Sequence, residues 1–377
     1  MATRILVLGA GFAGLELCTT LSESVADEVE VTLLDSADAF VFGYSKLDVL
    51  FSKASVDAVR LPYADFKKPS IRFRRERILE IDPVARRVVT DAESYEGDIL
   101  VIAMGADYDV QATPGFDGAT EFYSVAGASR MSKLVQSFER GRILVAVCGA
   151  PYKCPPAPSE AALLMHDYLS TKGIRGACEI TLVLPLDSPV PPSPETSEAL
   201  IAAFAERDIR FYADREVTSI DPGRGLATFD DHMQLPYDLL LGVPKHRAPQ
   251  VVVDAGLTED GYVPTDPRTL KTKFPGVYAV GDCARQGTPK AGVFAEGAAR
   301  ALAAHIVAEI KGTQSKVAHT GKGSCYIEFG AGRIGRVDID FLSGPAPTGT
   351  YHAPSVALRA DKEEFGSTRR ARWFGRK

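Results

Sequence analysis

Gly9-Ala-Gly-Phe-Ala-Gly14 joins a short apolar strand at residues 4–8 to a segment whose apolar spacing predicts a helix. A second apolar strand follows at residues 29–34 and ends at Asp35. Strand, glycine-rich loop, helix, second strand and terminal acid occur in the order of a dinucleotide-binding βαβ unit. The first forty residues therefore predict a Rossmann-like domain.

Each position of this loop has a physical reason. Gly9 permits the tight turn, Gly11 lets the backbone approach a pyrophosphate, and Gly14 lets the helix pack closely on the strand. Phe12 and Ala13 belong to the helix N-terminus, which offers free N–H groups to an anion. Asp35, at the end of the second strand, is placed to accept a ribose hydroxyl.

Length and composition limit the classes of function. The chain has 377 residues, enough for about two or three domains. With 45% hydrophobic and 24% charged residues the chain is of ordinary globular composition, and its net charge of −6 argues against non-specific nucleic-acid binding. No apolar run approaches the ~20 residues of a membrane-spanning helix, and no signal peptide is evident, so a cytoplasmic location is expected. Six cysteines are too few for a disulfide scaffold, which favours a catalytic pair over structural bridges.

Two later segments narrow the class of nucleotide. Residues 95–105 contain an apolar strand that ends in Ala103-Met-Gly105, and residues 274–282 form a strand that ends in Gly281-Asp282. With the first loop they resemble the flavoproteins of the pyridine nucleotide-disulfide oxidoreductase superfamily. The resemblance implies an α/β fold with two Rossmann-like domains, and it assigns Ala103, Gly105, Gly281 and Asp282 to binding FAD.

The resemblance also implies a division into four segments. Residues 1–105 form the first half of the FAD domain, and residues 106–255 an inserted domain with a degenerate nucleotide loop. Residues 256–318 complete the FAD domain, with a helix from about Gly292 to Ile310. Residues 319–377 form a small C-terminal cap.

The inserted domain lacks a second glycine-rich loop. Its strand at residues 142–148 is followed by Gly149-Ala-Pro-Tyr-Lys-Cys-Pro-Pro-Ala-Pro-Ser-Glu160, in which only the first glycine remains. The prolines remove N–H donors and stiffen the loop, which argues against NAD(P)H as the electron donor. Cys154 stands there instead, just before a predicted helix whose positive end is expected to lower the pKa of the thiol.

Three segments resemble those of sulfide:quinone oxidoreductases and flavocytochrome c sulfide dehydrogenases. They are the cysteine loop at residues 153–160, Gly323-Ser-Cys-Tyr326, and Pro289-Lys-Ala-Gly-Val-Phe-Ala-Glu296. The resemblance implies a redox disulfide between Cys154 and Cys325, a candidate acid or base at Glu160, and a flavin-proximal lysine at Lys290 that could stabilise negative charge on the reduced flavin.

Other interpretations stay open at these residues. Cys154 and Cys325 are 171 positions apart, so only the resemblance pairs them. Two unpaired buried cysteines, or a Cys148–Cys154 pair, are alternatives. Glu160 could simply satisfy the dipole of its helix, and Lys290 could be a surface lysine. No metal-ligand spacing occurs among the histidines and cysteines.

The tail from Gly366 to Lys377 is basic and carries Trp373-Phe374. Its cations are Arg369, Arg370, Arg372, Arg376 and Lys377. Basic and aromatic residues together suit an anionic membrane surface, where a quinone would be met. The alternative is a tail packed on the protein.

These observations predict an FAD-dependent sulfide dehydrogenase. Sulfide, or a small thiol or persulfide, would reduce the Cys154–Cys325 disulfide, and electrons would pass to FAD and on to a quinone. The expected location is the cytoplasm, peripheral to the inner face of the cell membrane, with a homo-oligomer left open. Alternatives are a cytochrome acceptor, a type II NADH:quinone oxidoreductase, and a flavin-binding sensor without turnover.

Overall fold

The structure is a computed structural model that describes residues 2–117 and 120–376. In chain order, its strands are β1 (Thr3–Leu8), β2 (Val29–Asp35), β3 (Ala39–Phe40), β4 (Leu61–Pro62), β5 (Ile71–Arg75), β6 (Ile78–Asp82), β7 (Arg87–Thr90), β8 (Ser94–Glu96), β9 (Ile99–Ile102), β10 (Asp107–Asp109), β11 (Gly141–Val147), β12 (Cys178–Val183), β13 (Ile209–Tyr212), β14 (Val217–Asp221), β15 (Leu226–Phe229), β16 (Gln234–Pro236), β17 (Leu239–Val243), β18 (Lys245–Arg247), β19 (Val263–Pro264), β20 (Val277–Ala279), β21 (Ala284–Arg285), β22 (Lys322–Glu328), β23 (Ile334–Asp340) and β24 (Thr348–Ser355). The helices are α1 (Phe12–Val25), α2 (Ser45–Leu50), α3 (Val125–Ser137), α4 (Ala157–Thr171), α5 (Pro194–Glu206), α6 (Gln250–Asp254), α7 (Gly292–Ile310) and α8 (Leu358–Phe374).

The first sheet is parallel and has the strand order β20-β9-β1-β2-β5. Its strands come from both ends of the chain, because β20 pairs with β9 although about 175 residues separate them. Helices α1 and α7 pack against each other beside this sheet. The predicted βαβ unit and the helix Gly292–Ile310 are confirmed, with β1 and β2 each one residue longer than expected.

The second sheet is also parallel, in the order β13-β12-β11-β17, and comes from the middle of the chain. The α/β fold with two Rossmann-like domains is therefore confirmed. A third, antiparallel sheet of β22, β23 and β24 leads into α8 and forms the C-terminal cap. These sheets fall within the four predicted segments, whose exact limits stay a prediction.

The C-terminal helix α8 is packed on the first domain. Trp373 is 1% exposed and Phe374 is 6% exposed. The Trp373 ring lies edge-on to Phe12 and Phe40, with centroids 5.6 and 5.5 Å apart, and its Nε1 donates to the buried Glu16 carboxylate at 2.8 Å. The interpretation of these aromatic residues as membrane-facing is therefore wrong, because their apolar surface is already buried in the core.

Acidic residues of the first domain pair with basic residues of α8 and of the segment just after it. Arg372 Nε lies 2.9 Å from Glu16 Oε2, Arg369 Nε lies 2.6 Å from Glu296 Oε2, and Arg376 pairs with Asp65. Lys377 lies outside the described residues. Within residues 2–117 and 120–376, no helix is both long and apolar enough to cross a membrane.

The bond from Trp373 to Glu16 gives a first testable prediction. Trp373→Phe keeps an aromatic ring in place but removes the donor to a buried carboxylate. The free energy of unfolding should therefore fall by about 1.5–3 kcal/mol. Urea denaturation of both proteins measures this difference. In a Glu16→Gln background, Trp373→Phe should lower the free energy of unfolding by a smaller amount. An equal loss there would mean that the ring's packing, and not the hydrogen bond, carries the effect.

Candidate active site

A single cavity brings together residues from the first domain, the inserted domain and the cap. Among its lining residues are these positions singled out in the sequence: Gly9, Gly11, Phe12, Ala13, Asp35, Ala103, Gly105, Cys154, Glu160, Gly281, Asp282, Lys290 and Cys325. Gly14 is the exception, because it packs beneath the loop. The structure thus places the predicted cofactor and catalytic residues around one space, while their roles stay predictions.

The glycine-rich loop has the geometry that a bound pyrophosphate needs. A Cβ on Gly14 would lie 1.9 Å from the Gly9 carbonyl oxygen, so only glycine allows α1 to approach β1 this closely. A Cβ on Gly11 would meet no atom within 4 Å, because this face opens into the cavity. The Ala10 N–H donates to Asp35 Oδ2 at 2.7 Å, which holds the loop against the end of β2.

Backbone N–H groups hold the Asp35 carboxylate, whereas lysine side chains surround that of Asp282. Asp35 also accepts from the Ala37 N–H at 2.8 Å, and burial raises the pKa of its carboxyl. Burial likewise raises the pKa of Asp282, although Lys153 and Lys290 act in the opposite direction. Both carboxyl groups line the cavity and can still accept hydrogen bonds there.

Lys290 is 6% exposed, so its interpretation as a surface lysine is wrong. Its Nζ donates to the Asp282 carbonyl oxygen at 2.7 Å and lies 3.5 Å from the centroid of the Tyr262 ring. Burial lowers the pKa of Lys290 to about 8. The residue is held in place beside the cavity and remains largely a cation at neutral pH.

Two more lysines on the cavity wall were not foreseen. Burial lowers the pKa of Lys153 to about 8, and its Nζ donates to the Ala106 carbonyl at 2.7 Å. Burial also lowers the pKa of Lys46, on α2. Lys153 adjoins Cys154 in the sequence, which was an available signal. Nothing in the sequence around Lys46 marks it.

Cys154 sits in a sharply bent loop between β11 and α4 of the inserted domain. Its φ of 48° lies in the left-handed region, which non-glycine residues adopt rarely and often at functional sites. Its N–H donates to the Lys290 carbonyl at 2.7 Å, so the cysteine loop is joined to the predicted flavin-proximal segment. The methylene groups of Lys245 cover Gly149, the one glycine left in this loop.

The pKa of the Cys154 thiol runs against the expectation from the sequence. Burial raises this pKa above its ordinary value, and the Glu160 carboxylate adds to the rise. A helix N-terminus contributes only about 0.3–1 kcal/mol, less than one pKa unit, whereas full burial can shift a pKa by several units. The predicted lowering is therefore wrong, because desolvation outweighs the helix.

Cys325 faces the same cavity from β22, at the position paired with Val337 on β23. Burial raises its pKa to about 12. Both Cys154 and Cys325 are free thiols in the structure. Cys148 packs in a separate apolar cluster beneath the inserted sheet, so the structure gives no support to a Cys148–Cys154 pair.

Glu160 lies in the first turn of α4 and is 2% exposed. Its Oε1 accepts a hydrogen bond from the Glu328 N–H at 2.9 Å, so it reaches across to the cap rather than only facing its own helix. Burial raises the pKa of its carboxyl to about 7. Glu160 can therefore exchange protons at neutral pH.

The cap adds a charged residue that the sequence did not reveal. Lys362, on α8, lines the cavity, and its Nζ lies 2.5 Å from Glu328 Oε1. Tyr44 and Phe365 line the same end of the cavity, with ring centroids 6.5 Å apart. Lys362 falls in a run of charged residues that looks like an ordinary solvated helix face, so local sequence carried no signal.

This chain is similar in sequence to a known protein family and in fold to a solved structure. A family model described as pyridine nucleotide-disulphide oxidoreductase matches residues 3–299. The mitochondrial sulfide:quinone oxidoreductase of Mus musculus is 23% identical over 367 residues, covering 92% of this chain and 80% of that protein. The sulfide:quinone oxidoreductase structure from Aquifex aeolicus superposes with a TM-score of 0.87 at 22% identity, covering 98% of this chain and 92% of the other, which supports the fold.

A second kind of relative matches a smaller part of the chain. The type II NADH:quinone oxidoreductase of Staphylococcus saprophyticus is 30% identical over 136 residues, which cover 35% of this chain and 34% of that protein. The similarity to the sulfide enzymes runs along the chain, whereas this similarity is confined to about a third of it.

Proposed function

The chain belongs to the pyridine nucleotide-disulphide oxidoreductase family and is a flavoprotein oxidoreductase; on that premise we propose that it is an FAD-dependent sulfide:quinone oxidoreductase. One observation carries the proposal. Cys154, Cys325 and Glu160 line the same cavity as the glycine-rich loop, although they lie in different parts of the chain. The extensive similarity to sulfide:quinone oxidoreductases agrees with it.

The first step uses a disulfide between Cys154 and Cys325. Hydrosulfide attacks one of the two sulfur atoms, a new S–S bond forms, and the original S–S bond breaks. The products are a cysteine persulfide and the thiolate of the other cysteine, so charge and electrons balance. Both cysteines line the cavity, which supports the access of a small substrate to a bond between them.

Glu160 supplies the proton that this step calls for. Burial disfavours a free thiolate at either cysteine, as the raised pKa values of Cys154 and Cys325 indicate. The carboxylic acid form of Glu160, with its pKa of about 7, can give its proton to the released sulfur and become a carboxylate. Reaction should therefore slow as the pH rises through about 7.

Residues of the first domain would hold the cofactor. Gly9 and Gly11 with the N-terminus of α1 suit the pyrophosphate, Asp35 suits the ribose, and Gly281 and Asp282 close the other side. Bound FAD would supply a two-electron acceptor that passes the electrons on to a quinone. Lys290 and Lys153, with pKa values of about 8, keep positive charge beside that position.

NADH is disfavoured as the electron donor. Gly149 is covered by Lys245, and the N-terminus of α4 lacks the N–H groups of Pro156 and Pro158. An N–H cradle for a second pyrophosphate is therefore missing from this part of the described loop. The similarity to a type II NADH:quinone oxidoreductase keeps that activity as the alternative to be tested.

A quinone acceptor would bring the protein to a membrane surface. The buried Trp373 and Phe374 do not provide an anchor there. Arg376, just beyond α8, is exposed even though it pairs with Asp65, and its charge suits an anionic membrane surface or an acidic cytochrome acceptor.

The deciding experiment compares two reductants. The purified yellow protein is mixed anaerobically with sulfide, and separately with NADH, while the visible absorbance of oxidised flavin is followed. Rapid bleaching by sulfide, and slow or no bleaching by NADH, is the expected result. Bleaching by NADH alone would assign the protein to the NADH dehydrogenases, and bound flavin that neither reagent reduces would favour a sensor.

A further inference from the structure

We propose that Lys362 and Glu328 act together as positioning residues that set the charge of Glu160, and thereby decide the pH range in which Glu160 can protonate a sulfur atom. The inference rests on the proposed function, since Glu160 is its proton donor. It extends that function to the C-terminal helix, which supplies Lys362.

The three residues are joined by direct contacts. The Lys362 Nζ lies 2.5 Å from Glu328 Oε1, and the Glu328 N–H donates to Glu160 Oε1 at 2.9 Å. One residue, Glu328, thus bonds to Lys362 with its side chain and to Glu160 with its backbone. The side chains of Lys362 and Glu328 are only 15% and 16% exposed, so water screens their charges weakly.

Lys362 and Glu328 act on Glu160 in opposite directions. Burial is the largest influence and raises the pKa of Glu160; the Lys362 ammonium lowers it, and the Glu328 carboxylate raises it. Other titratable groups also face Glu160 from the elements packed around it, namely Asp48 on α2, Cys154 in its loop, Cys325 on β22 and Tyr123 before α3. Lys362 is the principal cation in this set, so its pairing with Glu328 controls how much positive charge Glu160 feels.

This arrangement has a mechanical consequence. Lys362 is carried by α8, which Trp373, Arg369 and Arg372 fasten to the first domain. The anchored helix holds the ammonium beside the cavity at a fixed place. The cap therefore contributes more to the site than Cys325, because it also determines the protonation of the acid opposite.

The test measures the titration of Glu160 directly, without sulfide. The flavin-bound protein is labelled with carbon-13 at glutamate side-chain carboxyls, and the Glu160 signal is identified by its loss in Glu160→Gln. Lys362→Met should raise the pKa of Glu160, and Glu328→Gln should lower it, each by about one unit. Glu328→Gln keeps the backbone donor to Glu160, so only the charge changes.

Two matched variants serve as controls. Lys362→Arg keeps the positive charge and should leave the titration near its original position. Lys322→Met removes a lysine from β22, the strand that carries Glu328. The Lys322 side chain is 62% exposed and paired with Asp340, so this variant should leave the titration of Glu160 unchanged. Unchanged titration in both Lys362→Met and Glu328→Gln, or shifts in the same direction, would overturn the inference.

A second readout separates this inference from the proposed function. In sulfide reduction of the flavin, the upper pH limit should move up in Lys362→Met and down in Glu328→Gln. Titration shifts as expected, in a protein that sulfide does not reduce, would leave the charge coupling intact and refute the sulfide chemistry. Normal reduction of the flavin by sulfide, with an unshifted pKa of Glu160 in both variants, would refute the charge coupling and leave the sulfide chemistry intact.

Discussion

Cys154→Ser should reduce the rate at which sulfide bleaches the flavin by at least about 1,000-fold, because a hydroxyl cannot form the disulfide that hydrosulfide attacks. Cys325→Ser should have the same effect, since the two sulfurs act as one bond. Stopped-flow absorbance under anaerobic conditions measures both rates. The double variant should be no worse than either single one, as expected for residues that act as a unit.

Cys148→Ala is the matched control for this prediction. Cys148 is fully buried in another cluster, and the variant should reduce its flavin at the normal rate. The oxidised, denatured wild-type protein should also show two fewer free thiols than its six cysteines. Loss of activity in Cys148→Ala with retention in Cys325→Ser would replace the proposed pair by the Cys148–Cys154 pair.

Gly14→Ala should abolish flavin binding by disrupting the first domain. The new Cβ would lie 1.9 Å from the Gly9 carbonyl oxygen, so α1 must move away from β1. Overpacking of this kind costs about 1–3 kcal/mol or more, and it displaces the loop on which the pyrophosphate would rest. The flavin-to-protein absorbance ratio after purification and the thermal stability report the two effects.

Gly11→Ala separates folding from cofactor binding. Its Cβ would meet no protein atom within 4 Å, and the backbone there is extended, with φ −78° and ψ −163°, so the apoprotein should be about as stable as wild type. The methyl group would nevertheless project into the cavity where the pyrophosphate is expected, and FAD affinity should fall at least about tenfold. Undiminished affinity in Gly11→Ala would place the dinucleotide elsewhere.

Local sequence motifs predicted the fold and many of the residues that line the cavity. The first glycine-rich loop predicted β1, α1 and β2, because a tight turn, a close helix–strand contact and apolar periodicity are properties of neighbouring residues. The same holds for the strand before Gly281 and for the proline-rich loop around Cys154. The resemblance then placed Cys325 with Cys154, and the structure puts both on one cavity.

Long-range packing decided what the motifs left open. The basic and aromatic sequence around Trp373 did not reveal that its indole N–H would donate to Glu16, more than 350 positions earlier. The helix beside Cys154 predicted a low thiol pKa, but burial beneath other segments raises it. Lys362 looked like part of a solvated helix and instead lines the cavity together with Glu160. Burial and charge pairing depend on which distant segments meet, and that information lies in the packing of the domains rather than in any local stretch of residues.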